Sequence, residues 1–114
     1  MATRAQIIFA TRQEGQAFNK HPEVVNARFY KHHDGYPEGL GVDIAESILD
    51  SIKIKNWEID HIDTIREDLE YIYYIWQKPE CEAFISIFAG NYGNGEDFEC
   101  IFVGNGQQLL NKYK

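Results

Sequence analysis

Two cysteines, three prolines and one methionine stand among 114 residues, and no apolar run approaches the ~20 residues that a membrane-spanning helix needs. Each shortage excludes something. Cys81 and Cys100 occur in apolar, strand-like settings without a C-x-x-C spacing, so neither a disulfide framework nor a zinc site is expected, and both read as buried thiols. The scarcity of proline, with 44% hydrophobic and 14% aromatic residues, excludes a disordered chain. Met1-Ala2-Thr3-Arg4 lacks the apolar segment of a secretory signal, so a cytoplasmic protein with no membrane association is expected. Lys and Arg are also few, eleven against eighteen acids, and the net charge of −7 argues against general nucleic-acid binding. Without repeats, low-complexity tracts or a Ser/Gly linker, residues 1–114 read as a single domain.

What is present is patterned. Residues 1–33 hold five cations (Arg4, Arg12, Lys20, Arg28, Lys31) against Glu14 and Glu23, whereas the rest holds six against sixteen acids. If the first two strands lie side by side, a small cationic patch sits on an acidic body, unless those arginines pair with acids elsewhere. Thr3–Thr11 alternates Ala5, Ile7 and Phe9 with Arg4, Gln6 and Ile8, the period of a strand with one buried face. Val24–His33 is a second strand that projects Arg28, Tyr30 and His32 together. Asp34-Gly35 and Tyr36-Pro37 must stop it, and a helix follows over Leu40–Lys53, with Leu40, Ile44, Ala45, Ile48, Leu49 and Ile52 at helical spacing. A shorter helix is expected from Asp60 to about Asp68 on Ile62, Ile65 and Leu69. Three strands then close the domain, Glu70–Gln77, Glu82–Ala89 and Asp97–Val103, with Gly90–Gly95 as a hairpin loop and 104–114 as a short helix or loose tail. The order β-β-α-α-β-β-β predicts an α+β domain with a mostly antiparallel five-stranded sheet and helices on one face.

The run His32-His33-Asp34-Gly35-Tyr36-Pro37-Glu38-Gly39-Leu40-Gly41 reads as a strand turning into a helix. A helix entered through glycines exposes its first amides, so Gly39 and Gly41 frame an anion site in one reading. In the other, Gly35 and Pro37 make a tight turn while Gly39 and Gly41 permit close packing. His32-x-Asp34 has the spacing of part of a metal site, but His21 and His61 offer no diagnostic third ligand, so no metal or cofactor is expected. His32 or His33 could act as a general base, yet no nucleophile is tied to either by spacing. Tyr71-Ile72-Tyr73-Tyr74-Ile75-Trp76 shows aromatics on both faces of a strand; one face packs on the helices, and the other stacks a base, meets a partner subunit or joins the core.

The stretch Arg28–Gly41, with the opening Thr3-Arg4-Ala5, resembles a family of small phage and mobile-element proteins with a Thr-Arg-Ala-like start and an aromatic-x-His-x-Asp-Gly-Tyr-Pro-x-Gly elbow. The resemblance covers roughly the first 50 residues. By analogy it implies action against host defences in the cytoplasm of the host cell. The leading expectation is a non-enzymatic homo-oligomer that sequesters a small phosphorylated signal, such as a nucleotide. Its expected ligand-binding residues are Arg4, Arg28, Tyr30, His32, His33, Asp34, Tyr36, Gly39 and Gly41. A second reading is an acidic module that blocks a host defence protein through Asp43, Glu46 and Asp50. A third is a small hydrolase or lyase that uses His32 or His33.

Overall fold

Strand β1, Ala5–Thr11, has almost no accessible surface on either side: Ala5, Ile7 and Ala10 are fully buried, and Gln6 and Ile8 are 2% exposed. The alternation of its sequence implied one buried face, and the fold covers both. The computed structural model describes residues 3–49, 57–77 and 83–114. Among these, β1 lies between β2 (Val24–Lys31), which runs antiparallel to it, and β4 (Leu69–Gln77), which runs parallel. With β3 (Glu58–Asp60), β5 (Phe84–Gly93) and β6 (Glu99–Asn105), the sheet has the order β3-β2-β1-β4-β5-β6. Every adjacent pair except β1 and β4 is antiparallel. The α+β class and mostly antiparallel sheet agree with the sequence reading, but the sheet has six strands rather than five.

The extra strand replaces part of an expected helix. Glu58–Asp60 pairs with Tyr30–Arg28, and the chain then turns through residues 61–68 instead of continuing as a helix from Asp60. Two arginines hold it there: Arg66 forks onto the Asp60 carboxylate, and Arg28 Nε donates to the Ile62 carbonyl. The helical spacing of Ile62, Ile65 and Leu69 misleads, because Ile62 and Ile65 are exposed while Leu69 is buried at the start of β4.

Both helices pack on one face of the sheet. A π-helical turn, Pro37–Gly41, leads into α1 (Val42–Leu49), and the expected continuation to Lys53 lies outside the described residues. Tyr36, restricted by Pro37, is extended as expected. The last helix, α2 (Gly106–Tyr113), begins with a capping box in which Asn105 and Gln108 each accept the other's backbone amide. Leu40, Ile44, Ala45 and Leu109 then meet Ile7, Tyr73, Ile75, Ile85 and Ile87 in the helix-side core.

The opposite face carries no described helix, yet most of it is covered. Ile8, Ala10, Tyr30, Ile72, Tyr74, Trp76, Phe88 and Phe98 form a second core, roofed by the 12–23 loop and the turn before β6. Phe18 stacks on Phe84 at 4.8 Å and meets the Trp76 ring edge-on at 5.6 Å. Trp76 Nε1 donates to Ser86 Oγ at 2.7 Å, and Ser86 donates in turn to the Phe18 carbonyl. Phe98 lies so close over Gly90 that a Cβ there would sit 2.1 Å from its ring. Tyr73, Tyr74 and Trp76 are therefore buried by the chain itself, at 0%, 5% and 1% exposed, and take the place of core residues, while Tyr71 is half-buried. Gly90–Gly93, expected as a loop, belong to β5, and the turn follows at 94–98. Cys100 is a half-buried free thiol, and Cys81 lies outside the described residues.

The elbow is joined to β1 by close contact. A Cβ on Gly35 would lie 2.7 Å from both Ala5 Cβ and the Thr3 carbonyl oxygen, while the Gly35 amide donates to Thr3 and its carbonyl accepts from the Tyr73 hydroxyl at 2.6 Å. Gly35→Ala is expected to lower the unfolding free energy by about 1 to 3 kcal/mol through overpacking. Tyr73→Phe should cost about 1 kcal/mol through a lost buried donor. Both are read from urea midpoints at constant slope, and a Gly35→Ala protein as stable as the parent would show that the elbow does not press on β1.

Candidate functional site

Register places a group of polar side chains on the face away from the helices. Gln6 stands opposite Tyr30 and Ile72, and Ile8 opposite Arg28 and Tyr74, so all six point to one side. A cleft of about 320 Å³ opens over them, with Gln6, Ile8, Ile72 and Tyr74 as its floor. Its walls come from His21 and Pro22 of the 12–23 loop, Val25 and Arg28 of β2, Ile65, and the turn Asn94–Glu96.

Gln6 is the polar anchor of this floor. Its amide nitrogen donates to Asp60 Oδ2 and to the Thr64 carbonyl, each at 3.3 Å, and its oxygen accepts from Arg28 Nη1 at 3.4 Å. Asp60 receives two parallel bonds from Arg66, at 2.8 and 2.6 Å, which hold its carboxyl below the ordinary carboxylate range. The Arg66 guanidinium also lies 3.5 Å from the centre of the Tyr30 ring, whose hydroxyl is 2.9 Å from His32 Nδ1. Arg4 Nε sits 3.3 Å from Asp68 Oδ2. Arg4 and Arg66 thus form ion pairs with acids, whereas Arg28 hydrogen-bonds the neutral oxygens of Ile62 and Gln6 and acts on the neighbouring Asp60 carboxylate only through its field.

His21 ties two loops together at the opposite wall. Its ring stacks on Phe88 at 4.7 Å, its Nδ1 is 2.6 Å from the Tyr74 hydroxyl, and it bonds the backbone of Gly95. Partial burial of the ring lowers its pKa below the ordinary 6.5 and so favours the neutral form, against a smaller opposing effect of the Gly95 bond. Burial pushes the Tyr74 hydroxyl up, which keeps it protonated as a hydrogen-bonding partner.

The residues singled out in the sequence separate into two groups. Arg4, Arg28, Tyr30 and His32 lie on the cleft side of the sheet, although only Arg28 lines the cleft itself. His33 meets His32 edge-to-face at 4.5 Å, and both are exposed. Asp34 takes a left-handed turn conformation, φ 59°. Gly39 and Gly41 belong to the helix layer, where Gly39 abuts the Asp34 carbonyl and Tyr36 ring while Gly41 faces Tyr73 and Leu109. The amides of Gly39 and Leu40 both donate to the Tyr36 carbonyl. The elbow glycines therefore serve close packing, and the cationic strand residues do not flank the helix start. Asp43 and Glu46 are exposed, with Glu46 3.6 Å from Lys114 Nζ, while Asp50 lies outside the described residues. Among the described residues, no three His, Cys, Asp or Glu side chains are grouped to hold a metal ion.

Gln6, Asp60, Arg66 and the 94–96 turn were not foreseen as parts of a site, and His21 was weighed only as a metal ligand. Gln6 alone carried a signal, as the amide between the apolar Ala5 and Ile7. The others come together only through long-range pairing. No protein-family model, curated protein or solved structure matches the chain. No described helix is long and apolar enough to cross a membrane.

The clasp at His21 has a pH signature. Its folded pKa lies below its unfolded value, so the unfolded chain binds more protons on acidification, and stability falls as pH falls. The contribution is complete above 6.5 and declines below it toward the folded value. His21→Asn is expected to flatten the pH dependence of the thermal midpoint between about pH 7 and 5. Parallel curves for the parent and variant over that window would show that His21 does not pack on Tyr74 and Phe88.

Proposed function

We propose that this chain is a binding protein that holds a small anionic ligand, of the phosphorylated or nucleotide kind, in the cleft between the 12–23 loop and the 94–96 turn. The observation that carries this reading is Arg28, a guanidinium oriented by two neutral oxygens at the edge of a cleft of mixed polar and apolar lining, with Glu96 as the acid on the opposite wall. A cation with no direct ion pair, whose nearby Asp60 is already bound by Arg66, keeps attraction for an incoming anion, and the fixed fork suits phosphate oxygens. The volume is at the lower end of the ~300 to 1,000 Å³ usual for small-molecule sites, enough for one ring and one charged group. Ile8, Val25 and Ile72 supply apolar surface for the ring, while Gln6, His21 and Asn94 supply hydrogen-bonding groups. The resemblance of the first 50 or so residues to small phage and mobile-element proteins supports a ligand that is a signal of host defence, sequestered without turnover. Arg4, Tyr30 and His32 act here by bracing the sheet face beside Arg28.

Calorimetric titration and native mass spectrometry against a panel of mono- and cyclic nucleotides test this. One ligand per cleft is expected at micromolar affinity, with Arg28→Gln weakening it by about tenfold or more through loss of a charge-assisted bond. If no member of the panel binds in that range, or if Arg28→Gln binds as tightly as the parent, the reading fails.

A further inference from the structure

Among the described residues, a different part of the molecule combines exposed apolar side chains, acids without a paired cation and a sheet edge with no strand on its outer side. β3 ends the sheet, bonded to β2 on one side and to no described strand on the other. Ile59, at its centre, is 84% exposed, the largest value among the exposed large hydrophobic residues, and Ile65 in the following turn is 71% exposed. The two flank the strand from opposite faces: Ile59 is in register with Phe29 on the helix side, whereas Ile65 borders the cleft on the other. Glu58 and Glu67 are exposed beside them, with no cation paired to either among the described residues. Proteins usually protect such an edge with lysine, proline or a bulge, and β6 at the other end has a bulge and the Lys112 ammonium on its Ile101 carbonyl. Among the described residues, β3 itself, Glu58–Asp60, carries none of these.

We infer that β3 is a docking edge for a basic, extended segment of another protein, which adds as a further strand and brings alternate apolar and cationic side chains. Backbone pairing holds such a strand, and the side chains at its two faces select it. Ile59 and Ile65 supply apolar contacts above and below the added strand, while Glu58 and Glu67 attract lysine or arginine and steer the approach. A second copy of this chain is a poor occupant, since each copy carries a net charge of −7 and pairing would set Glu58 and Glu67 against like charges. The surface is separate from the acidic helix face at Asp43 and Glu46, and the inference does not rest on a ligand in the cleft.

The test uses the full chain, labelled with ¹⁵N, and a synthetic peptide that alternates valine and lysine. Two controls accompany it: the same composition with the valines and lysines in separate blocks, and a peptide with glutamate for lysine. The alternating peptide is expected to bind, to shift the amides of Glu58–Asp60 most, and to weaken as salt is raised. Ile59→Asp and Glu58→Lys, both exposed and outside the cleft, should each reduce its affinity about fivefold to tenfold with an unchanged near-ultraviolet spectrum. Equal binding of the blocked peptide, shifts centred on α1 instead of β3, or indifference to Ile59→Asp would overturn the inference. So would sedimentation showing a dimer of the free chain that Ile59→Asp dissolves.

Discussion

The architecture depends on covering strand β1 from both sides. A strand between a parallel and an antiparallel neighbour exposes two faces, and each must be removed from water. On one face α1 and α2 supply Leu40, Ile44, Ala45 and Leu109. On the other the chain uses loops, and Phe18, His21 and Phe98 take the place of a helix by laying rings on Trp76, Tyr74, Phe88 and Gly90. Loops close a sheet less evenly than helices do, and the cleft at Gln6, Arg28 and Tyr74 is the gap between two of them.

Burial of that second face has a polar consequence. Gln6 is 2% exposed in the middle of β1, and a buried amide without partners costs about 1 to 3 kcal/mol. Its partners come from far along the chain: Asp60 and Thr64 accept from it, and Arg28 donates to it. Asp60 in turn requires Arg66, whose guanidinium covers the Tyr30 ring. Satisfying one amide thus organises β3, the 61–68 turn and one wall of the cleft. The same chain of bonds gives Arg66 the direct ion pair with Asp60 and leaves Arg28 bonded to neutral acceptors beside it, so two arginines on one face differ in what they can offer a ligand.

The elbow that dominates the sequence has a mechanical role in the fold. Gly35 presses on Ala5, Gly41 faces Tyr73 and Leu109, and the first helix amides turn back onto Tyr36. Glycines at such points allow backbone to approach backbone, which carries the chain from β2 into the helix layer. The transfer also separates the elbow from Arg28 and Tyr30, which remain on the far side of the sheet.

Local pattern was enough for much of the fold. The alternation in β1 and β2, the turn chemistry of Asp34-Gly35 and Tyr36-Pro37, the start of α1 and the aromatic strand β4 were all legible, because each follows from steric rules acting over a few residues. The common orientation of Arg28, Tyr30 and His32 was legible for the same reason, since a strand has a period of two. What the tertiary structure alone decided was which faces are covered and by what. Ile62, Ile65 and Leu69 kept helical spacing while the fold made a strand and a turn of that segment, since the ion pair of Asp60 with Arg66 and the bond from Arg28 to Ile62 outweighed propensity. The meeting of Gln6, His21, Tyr74 and Gly95 joins residues up to 89 positions apart. No short-range pattern records such a meeting, because it depends on strand order, and strand order is set by burial of the whole sheet at once.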